Sequence, residues 1–165
     1  MNHLENIKNK IQSSSELIET LKFWEQEKCK IVFTNGCFDI IHLGHIDYLA
    51  KAAAFGDKLI IGVNTDASVS RIKGPSRPIN DQISRAMVLA SFSFVSLVVF
   101  FDEPTPYELI DTVQPDVLVK GADYKIEEIV GYDIVKAKGG TVFTIDYLPG
   151  YSTSAIELRI LDKNK

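Results

Sequence analysis

Residues 34–45 read Thr34-Asn35-Gly36-Cys37-Phe38-Asp39-Ile40-Ile41-His42-Leu43-Gly44-His45, and they join a predicted buried strand to a predicted helix. Before them, residues 30–33 form a short apolar run rich in β-branched residues, which is typical of a strand covered on both faces. After them, apolar side chains recur at helical spacing, so we expect a helix from near Leu43 to Gly56. This stretch therefore predicts a strand–turn–helix unit.

The turn in this unit has the features of a phosphate site. A glycine-bearing turn before a helix exposes backbone N–H groups and the positive end of the helix dipole, which attract phosphate oxygens. His42 and His45 are three residues apart, so on the first helical turn they would face the same side. Gly44 has no side chain and would let a base or ribose approach the backbone closely. These residues predict a nucleotide-phosphate site.

Length and composition indicate one globular domain in 165 residues, with 45% hydrophobic and 24% charged residues. The formal net charge of −4 argues against a nucleic-acid surface, because such surfaces depend on lysine and arginine. We therefore expect no nucleic-acid partner. An anionic substrate would then have to meet a locally basic pocket.

The cysteines and the apolar runs favour a cytoplasmic protein without a membrane segment. Cys29 and Cys37 form no C-x-x-C motif, which favours a reducing compartment. For Cys37 we favour packing beneath the turn over a nucleophilic or metal-binding role. The charged N-terminal region contains no signal-peptide core, and the apolar run at residues 92–101 is too short to span a bilayer.

Alternating strand and helix patterns predict an α/β fold, a Rossmann-like, doubly wound parallel sheet of about five strands. Residues 1–28 are expected to form an N-terminal helical arm that covers an edge of the sheet or a partner subunit. The remaining residues, 29–165, would form the phosphate-binding domain. We expect the later strands at residues 58–63, 96–101, from 116 onward, and 141–145.

Polar residues follow the predicted strands at the edge where ligands gather in such sheets. Asn64 and Asp66 follow the second strand, where they could contact a sugar hydroxyl or cap the next helix. Residues 71–78 are rich in cations, glycine and proline, which predicts a surface loop that closes over phosphates. Lys120, Gly121 and Asp123 follow the fourth strand, although Asp123 alone is also typical of a turn.

The segment Pro149-Gly150-Tyr151-Ser152-Thr153-Ser154 opens the last predicted helix. Ser152 is expected to be its N-cap. The exposed N–H groups and the hydroxyls of Thr153 and Ser154 predict a second anion site at this helix end.

The string H-x-G-H after T-N-G-C-F-D resembles the signature of the nucleotidyltransferase superfamily, whose members join a nucleoside monophosphate to a phosphorylated acceptor and release pyrophosphate. Along residues 32–160 the chain also resembles the adenylyltransferase half of the bacterial heptose enzymes, which serve lipopolysaccharide core synthesis. The further matching strings are G-V-N-T-D-A-S-V, K-G-P-S-R-P-I-N, P-D-V-L-V-K-G-A-D-Y and G-Y-S-T-S. The kinase half often fused in that family has no counterpart here, which implies a free-standing transferase.

This resemblance implies that ATP and a sugar 1-phosphate, D-glycero-β-D-manno-heptose 1-phosphate, are the substrates. It implies Mg²⁺ carried with ATP, no metal site built by the protein, and a homodimer as one oligomeric state. His42 and His45 would donate hydrogen bonds to phosphate oxygens in the transition state, assisted by Lys73 or Arg77. The nucleotide-binding residues would be Asn35, Gly36, Cys37, Phe38, Gly44, Lys120, Gly121, Asp123, Tyr151, Ser152, Thr153 and Ser154. The acceptor-binding residues would be Asp39, Asn64, Asp66 and Arg85.

Three other functions stay open at this point. His-x-x-His also occurs in zinc sites, with Asp39 or Cys37 as a further ligand, but no fourth ligand is apparent nearby. A glycerol-3-phosphate cytidylyltransferase would use CTP, although residues 148–154 lack the arginine of that family's R-T-x-G-I-S-T-T string. A non-catalytic nucleotide-binding module would keep the phosphate cradle and need neither histidine. An aminoacyl-tRNA synthetase is disfavoured because the chain is short and acidic and has no K-M-S-K-S string.

Overall fold

A computed structural model describes residues 2–123 and 125–162 of the chain. Within these residues, six parallel strands form one sheet in the order β1-β4-β3-β2-β5-β6. The strands are β1 (Ile11–Gln12), β2 (Ile31–Gly36), β3 (Lys58–Asn64), β4 (Leu97–Phe101), β5 (Val117–Gly121) and β6 (Thr141–Ile145). Strands β3 and β4 lie on one side of β2, whereas β5 and β6 lie on the other side, so the order of the strands switches between β2 and β5. Ligands of such sheets bind at this position, beyond the carboxyl ends of the strands.

Eight α-helices and one short 3₁₀ segment occur among the described residues. They are α1 (His3–Lys8), α2 (Ser14–Gln26), α3 (Leu43–Ala53), α4 (Asp66–Lys73), α5 (Gln82–Ala90), α6 (Tyr107–Val113), α7 (Tyr132–Ala137) and α8 (Thr153–Asp162), with the 3₁₀ turn at Ile126–Glu128. Helix α2 begins at the capping box of Ser13 and Glu16, in which each side chain accepts the backbone N–H of the other residue.

Two hydrophobic clusters cover the two faces of the sheet. On one face, buried residues of α3 and α5, such as Leu49 and Leu89, pack against the central strands. On the other face, α2, α6 and α7 contribute Leu17, Ile110 and Val135. Strand β2 is therefore covered on both sides, as its apolar sequence predicts.

The predicted fold class is confirmed, and the sheet has one strand more than the five expected. The additional strand, β1, lies within the predicted N-terminal arm and pairs with β4 at the sheet edge, with Ile11 beside Val98 and Gln12 beside Val99. A strand of two residues has too few positions to produce an alternating pattern, so its sequence carries no signal. The boundary near residue 29 stays a prediction, although the arm packs Leu17 into the core.

The basic segment is more helical than predicted. Residues 71–73 are not in a loop, because α4 continues through Lys73 and ends at Gly74, whose φ is +98°. Thr65 accepts the N–H of Ser68 as the N-cap, and Val69 is buried, so the helix has both a start and a packed face. No helix in the described ranges is long and apolar enough to cross a membrane.

Candidate active site

A cavity of about 530 Å³ lies at the carboxyl edge of the sheet, where β2 and β5 end. The motif turn lines it with the predicted residues Asn35, Gly36, Cys37, Phe38, Asp39, His42, Gly44 and His45. Segments from other parts of the chain line it with the predicted residues Lys73, Lys120, Gly121, Tyr151, Ser152 and Thr153. The fold therefore brings the motif, one end of the basic segment and the start of α8 to one cavity.

The two motif histidines lie side by side in this cavity. Their rings are stacked, with centroids 3.8 Å apart and planes at 25°, and the edge of Phe38 packs against His45. The Nδ1 atoms of both rings are buried, and neither has a hydrogen-bond partner among the described residues. Unpaired buried polar atoms are rare in folded proteins and frequently mark a ligand site. This pair is the strongest such signal in the cavity.

Burial makes both imidazoles weak bases. It lowers the pKa of His42 below its ordinary value. The pKa of His45 is lowered to about 4 by burial first, and then by the charges of His42 and Lys73. At pH 7 both rings are therefore neutral, and each carries one N–H donor and one acceptor nitrogen. A bound polyphosphate would raise both pKa values, since a nearby negative charge favours the protonated form.

We predict that His45 of the ligand-free protein titrates near pH 4 in an NMR experiment on the imidazole protons. Since the ordinary pKa is 6.5, the unfolded chain gains this proton between pH 6.5 and about 4 while the folded chain does not. The stability that this histidine contributes is thus present above pH 6.5 and is lost as the pH falls toward 4. Added ATP should raise the midpoint. A ligand-free midpoint at 6.5 would contradict the buried environment.

Two lysines supply positive charge, one from the end of a helix and one from the end of a strand. Lys73 is the last residue of α4 and lines the cavity. Lys120 follows the buried part of β5, and its Nζ donates to Asn35 Oδ1 at 3.0 Å. Burial lowers the pKa of Lys120, whereas the charges of Asp123 and Cys37 act in the opposite direction. The ammonium group is therefore held beside the motif turn.

Two glycines of the cavity permit close approaches. A Cβ on Gly44 would lie 3.1 Å from the His42 ring and 3.3 Å from Tyr151 Cβ. A Cβ on Gly121 would lie 2.0 Å from the Tyr147 hydroxyl, which donates to Asp123 Oδ1 at 3.1 Å. Neither glycine has a positive φ, so close packing and not backbone conformation explains the residue type.

Sequence reasoning missed three residues that line the cavity: Tyr48, Tyr147 and Leu148. Tyr147 and Leu148 follow β6, so the strand-end rule that identified Lys120 would also have found them. Tyr48 lies one helical turn after Gly44. Its hydroxyl donates to the Val119 carbonyl at 3.0 Å and lies 2.8 Å from Thr34 Oγ1. It thereby connects α3, β2 and β5.

Asp39 lines the cavity, but its carboxylate is used inside the protein. It accepts the backbone N–H groups of Ile79 and Asn80 at 2.8–3.0 Å and a hydrogen bond from Arg77 at 3.0 Å. Burial alone would raise the pKa of Asp39, but these donors together lower it below its ordinary value. Arg77 lies outside the cavity lining. The predicted contacts of Asp39 and Arg77 with substrate stay predictions.

The other predicted acceptor residues lie beneath the cavity and bind one another. Arg85 is 1% exposed and donates to the carbonyls of Cys37, Asn64 and Asn80 and to the carboxylate of Asp66. The Asn64 amide donates to Ser68 Oγ at 3.0 Å, and Cys37 Sγ lies 3.8 Å from Asn64 Oδ1. This group joins the ends of β2 and β3 to the start of α5.

The start of α8 has the predicted cap. Ser152 Oγ accepts the N–H of Ala155 at 3.1 Å. Thr153 lines the cavity next to Ser152, whereas Ser154 is exposed and Asp123 lies on an exposed turn, both outside the lining. The helix end therefore presents two of its three predicted hydroxyl residues to the cavity.

Comparison with known proteins places the chain in a family. Residues 33–159 match the family model described as cytidylyltransferase-like. The bifunctional protein HldE of Campylobacter curvus is 55% identical over 157 residues, and that of Syntrophotalea carbinolica is 50% identical over 155 residues. These alignments cover 95% and 94% of this chain but 32% of each relative. The chain thus spans about a third of the length of the curated relatives it matches.

Two solved structures share the fold. The lipopolysaccharide core biosynthesis protein of Thermoplasma volcanium is 31% identical, with a TM-score of 0.59 over 73% of this chain and 97% of that chain. Pantoate-β-alanine ligase of Francisella tularensis is 15% identical, with a TM-score of 0.62 over 94% of this chain and 78% of that chain, and shows the fold alone. The resemblance found in the sequence is confirmed at the level of the family. This chain belongs to the cytidylyltransferase-like family.

Proposed function

We propose that this domain transfers AMP from ATP to a sugar 1-phosphate, D-glycero-β-D-manno-heptose 1-phosphate, and yields an ADP-sugar and pyrophosphate. The observation that carries the proposal is the stacked pair His42 and His45, whose buried Nδ1 atoms have no partner within the described residues. The cavity around them is lined by Lys73 and Lys120 and by a helix N-terminus, all suited to phosphate. The similarity to HldE and to a lipopolysaccharide core biosynthesis protein supports the choice of acceptor.

The reaction needs alignment and charge stabilisation from the protein. An oxygen of the sugar phosphate attacks the α-phosphorus of ATP, the bond from that phosphorus to the bridging oxygen breaks, and pyrophosphate leaves with the electron pair. His42 and His45 would donate hydrogen bonds to the α-phosphate oxygens as negative charge accumulates there. Lys73 and the N–H groups at the start of α8 would stabilise the departing pyrophosphate. Asn35 would keep Lys120 directed at the motif turn.

Mg²⁺ is the ion that the resemblance implies for this reaction. Among the described residues, no group of three or more histidine, cysteine, aspartate or glutamate side chains could hold a metal ion by itself. We therefore propose that Mg²⁺ is bound through the phosphate oxygens of ATP. Such binding is typical of Mg²⁺, which retains several waters and is seldom held by protein ligands alone. When bound, it would neutralise charge on the β- and γ-phosphates. Asp39, which belongs to the motif turn, is the one carboxylate among the described residues that line the cavity.

A pyrophosphate-release assay tests the proposal by crossing ATP and CTP with heptose 1-phosphate and glycerol 3-phosphate. We expect release with ATP and heptose 1-phosphate, and background rates with the other three pairs. Release with CTP and glycerol 3-phosphate would instead support the cytidylyltransferase alternative, which the description of the matched family favours. ATP binding without release in any pair would identify a non-catalytic nucleotide-binding module.

A further inference from the structure

Arg77 forms ion pairs with two carboxylates from distant parts of the chain. Its Nη1 lies 3.0 Å from Asp39 Oδ2, and its Nη2 is paired with Glu157 of α8. The Arg77 side chain is 20% exposed and the Glu157 side chain 31%, so the second pair is only partly in contact with solvent. An arginine fork holds two acceptors in fixed directions, which a flexible lysine would not do.

The Asp39 end of this bridge is attached to the basic segment. Asp39 also accepts the N–H groups of Ile79 and Asn80, and Ser70 of α4 donates from Oγ to the Arg77 carbonyl. The backbone of Arg77 is therefore bonded to α4, and its side chain is bonded to Asp39 of the motif turn. Helix α4 ends at Lys73, the cation of this segment that lines the cavity.

The Glu157 end of the bridge is attached to the second anion site. Glu157 lies four residues after Thr153 on α8, so the two side chains are on the same face of the helix. Thr153 lines the cavity, whereas Glu157 does not. The ion pair with Arg77 thus connects the side of the cavity formed by Lys73 with the side formed by the start of α8.

We propose that Glu157 is a positioning residue for the triphosphate of the nucleotide. Through Arg77 it sets the distance between the N-terminus of α8 and Lys73, which would bind different oxygens of the same polyphosphate. This role rests on the proposed function, because it assumes that a nucleoside triphosphate occupies the cavity. It also gives Arg77 a structural reason for its position outside the cavity: the guanidinium connects two segments that are proposed to bind phosphate.

The test compares Glu157→Gln with Glu19→Gln. Glu19 is the matched control because it forms an exposed ion pair with Lys22 at 2.8 Å, on α2 and away from the cavity. Amide hydrogen exchange of the ligand-free proteins should be faster in Glu157→Gln at residues 77–80 and 152–157, and unchanged in Glu19→Gln. Exchange at wild-type rates in both segments would overturn the proposal, whether or not the protein is catalytically active.

Kinetics separate positioning from a general loss of structure. We expect Glu157→Gln to raise the KM for ATP about fivefold with kcat within about twofold of wild type, the size of effect a partly exposed ion pair supports. In an Arg77→Lys background the same substitution should have no further effect. The proposal would be contradicted if the two substitutions raised KM additively in the double variant, or if Glu157→Gln lowered kcat and left KM unchanged. If wild-type protein releases no pyrophosphate from any substrate pair, the proposed function fails, and the exchange experiment still decides whether Glu157 connects the two segments.

Discussion

Replacement of His45 by alanine is expected to lower kcat by about 100- to 1,000-fold, the usual cost of removing one preorganised donor to a transition-state charge. His42→Ala should have a comparable effect. The reason is that each imidazole lines the cavity and has a buried Nδ1 that no described residue satisfies, an arrangement that we propose serves hydrogen bonding between the rings and phosphate oxygens. Because neutral rings add no charge to the ground state, the Kd for ATP should rise only about threefold. Steady-state pyrophosphate release and calorimetric titration with ATP measure the two quantities.

His3→Ala is the control for both variants, since His3 is exposed on α1 and has no place in the cavity. It should leave kcat and Kd unchanged. A wild-type kcat in the His45→Ala variant would contradict the proposed role of this histidine. Equal losses in kcat/KM and in ATP affinity, with kcat preserved, would show that the histidines bind the ground state only.

Replacement of Arg85 by methionine is expected to lower the free energy of unfolding by about 3–5 kcal/mol, because three backbone carbonyls lose a buried charged donor and each buried unsatisfied group costs roughly 1–3 kcal/mol. Arg85 is 1% exposed, and its guanidinium satisfies three backbone carbonyls and the Asp66 carboxylate. Methionine fills much of the same volume but leaves those acceptors without a donor. Urea unfolding followed by circular dichroism measures the change, and the Tm should fall by roughly 10 °C.

Arg71→Met provides the matched control for this prediction. Arg71 pairs with Asp102 at 2.8 Å, but both side chains are more than half exposed. Its removal should therefore cost less than about 1 kcal/mol. If Arg85→Met lowers the free energy of unfolding no more than Arg71→Met does, the buried guanidinium does not hold the strand ends together.

The fold could be predicted because its main strands are long enough to show a pattern. Strands β2 and β3 are continuous apolar runs, and helices α4 and α5, which lie between β3 and β4, have side-chain N-caps at Thr65 and Asp81. Strand β1 could not be predicted, since its two residues form a strand only because β4 presents an open edge to them. The local structure of β1 is thus decided by a tertiary contact, and a short window of sequence contains no information about that contact.

The candidate site could be predicted where its residues are close together in the sequence or follow a strand. It was harder to predict where a residue's role depends on partners that are distant in the sequence. His42, Gly44 and His45 lie within four positions, and the strand-end rule places Lys120 and Gly121 beside them. Arg77 is a cation in a basic segment, which favoured phosphate contact, but the fold places it between Asp39 and Glu157. Whether the Arg77 guanidinium binds a ligand or a carboxylate of the protein depends on the path of the loops. The residue type alone does not determine that path.

The strand order has a consequence for how a newly synthesised chain acquires its cavity. Strand β2 obtains one neighbour, β3, soon after synthesis, but its second neighbour is β5, and residues 65–116 must emerge from the ribosome before that strand does. Until then the motif turn has neither Lys120 beside it nor the helix N-terminus that begins at Thr153. We therefore expect a nascent chain to expose the motif before the rest of the candidate phosphate-binding cavity has formed.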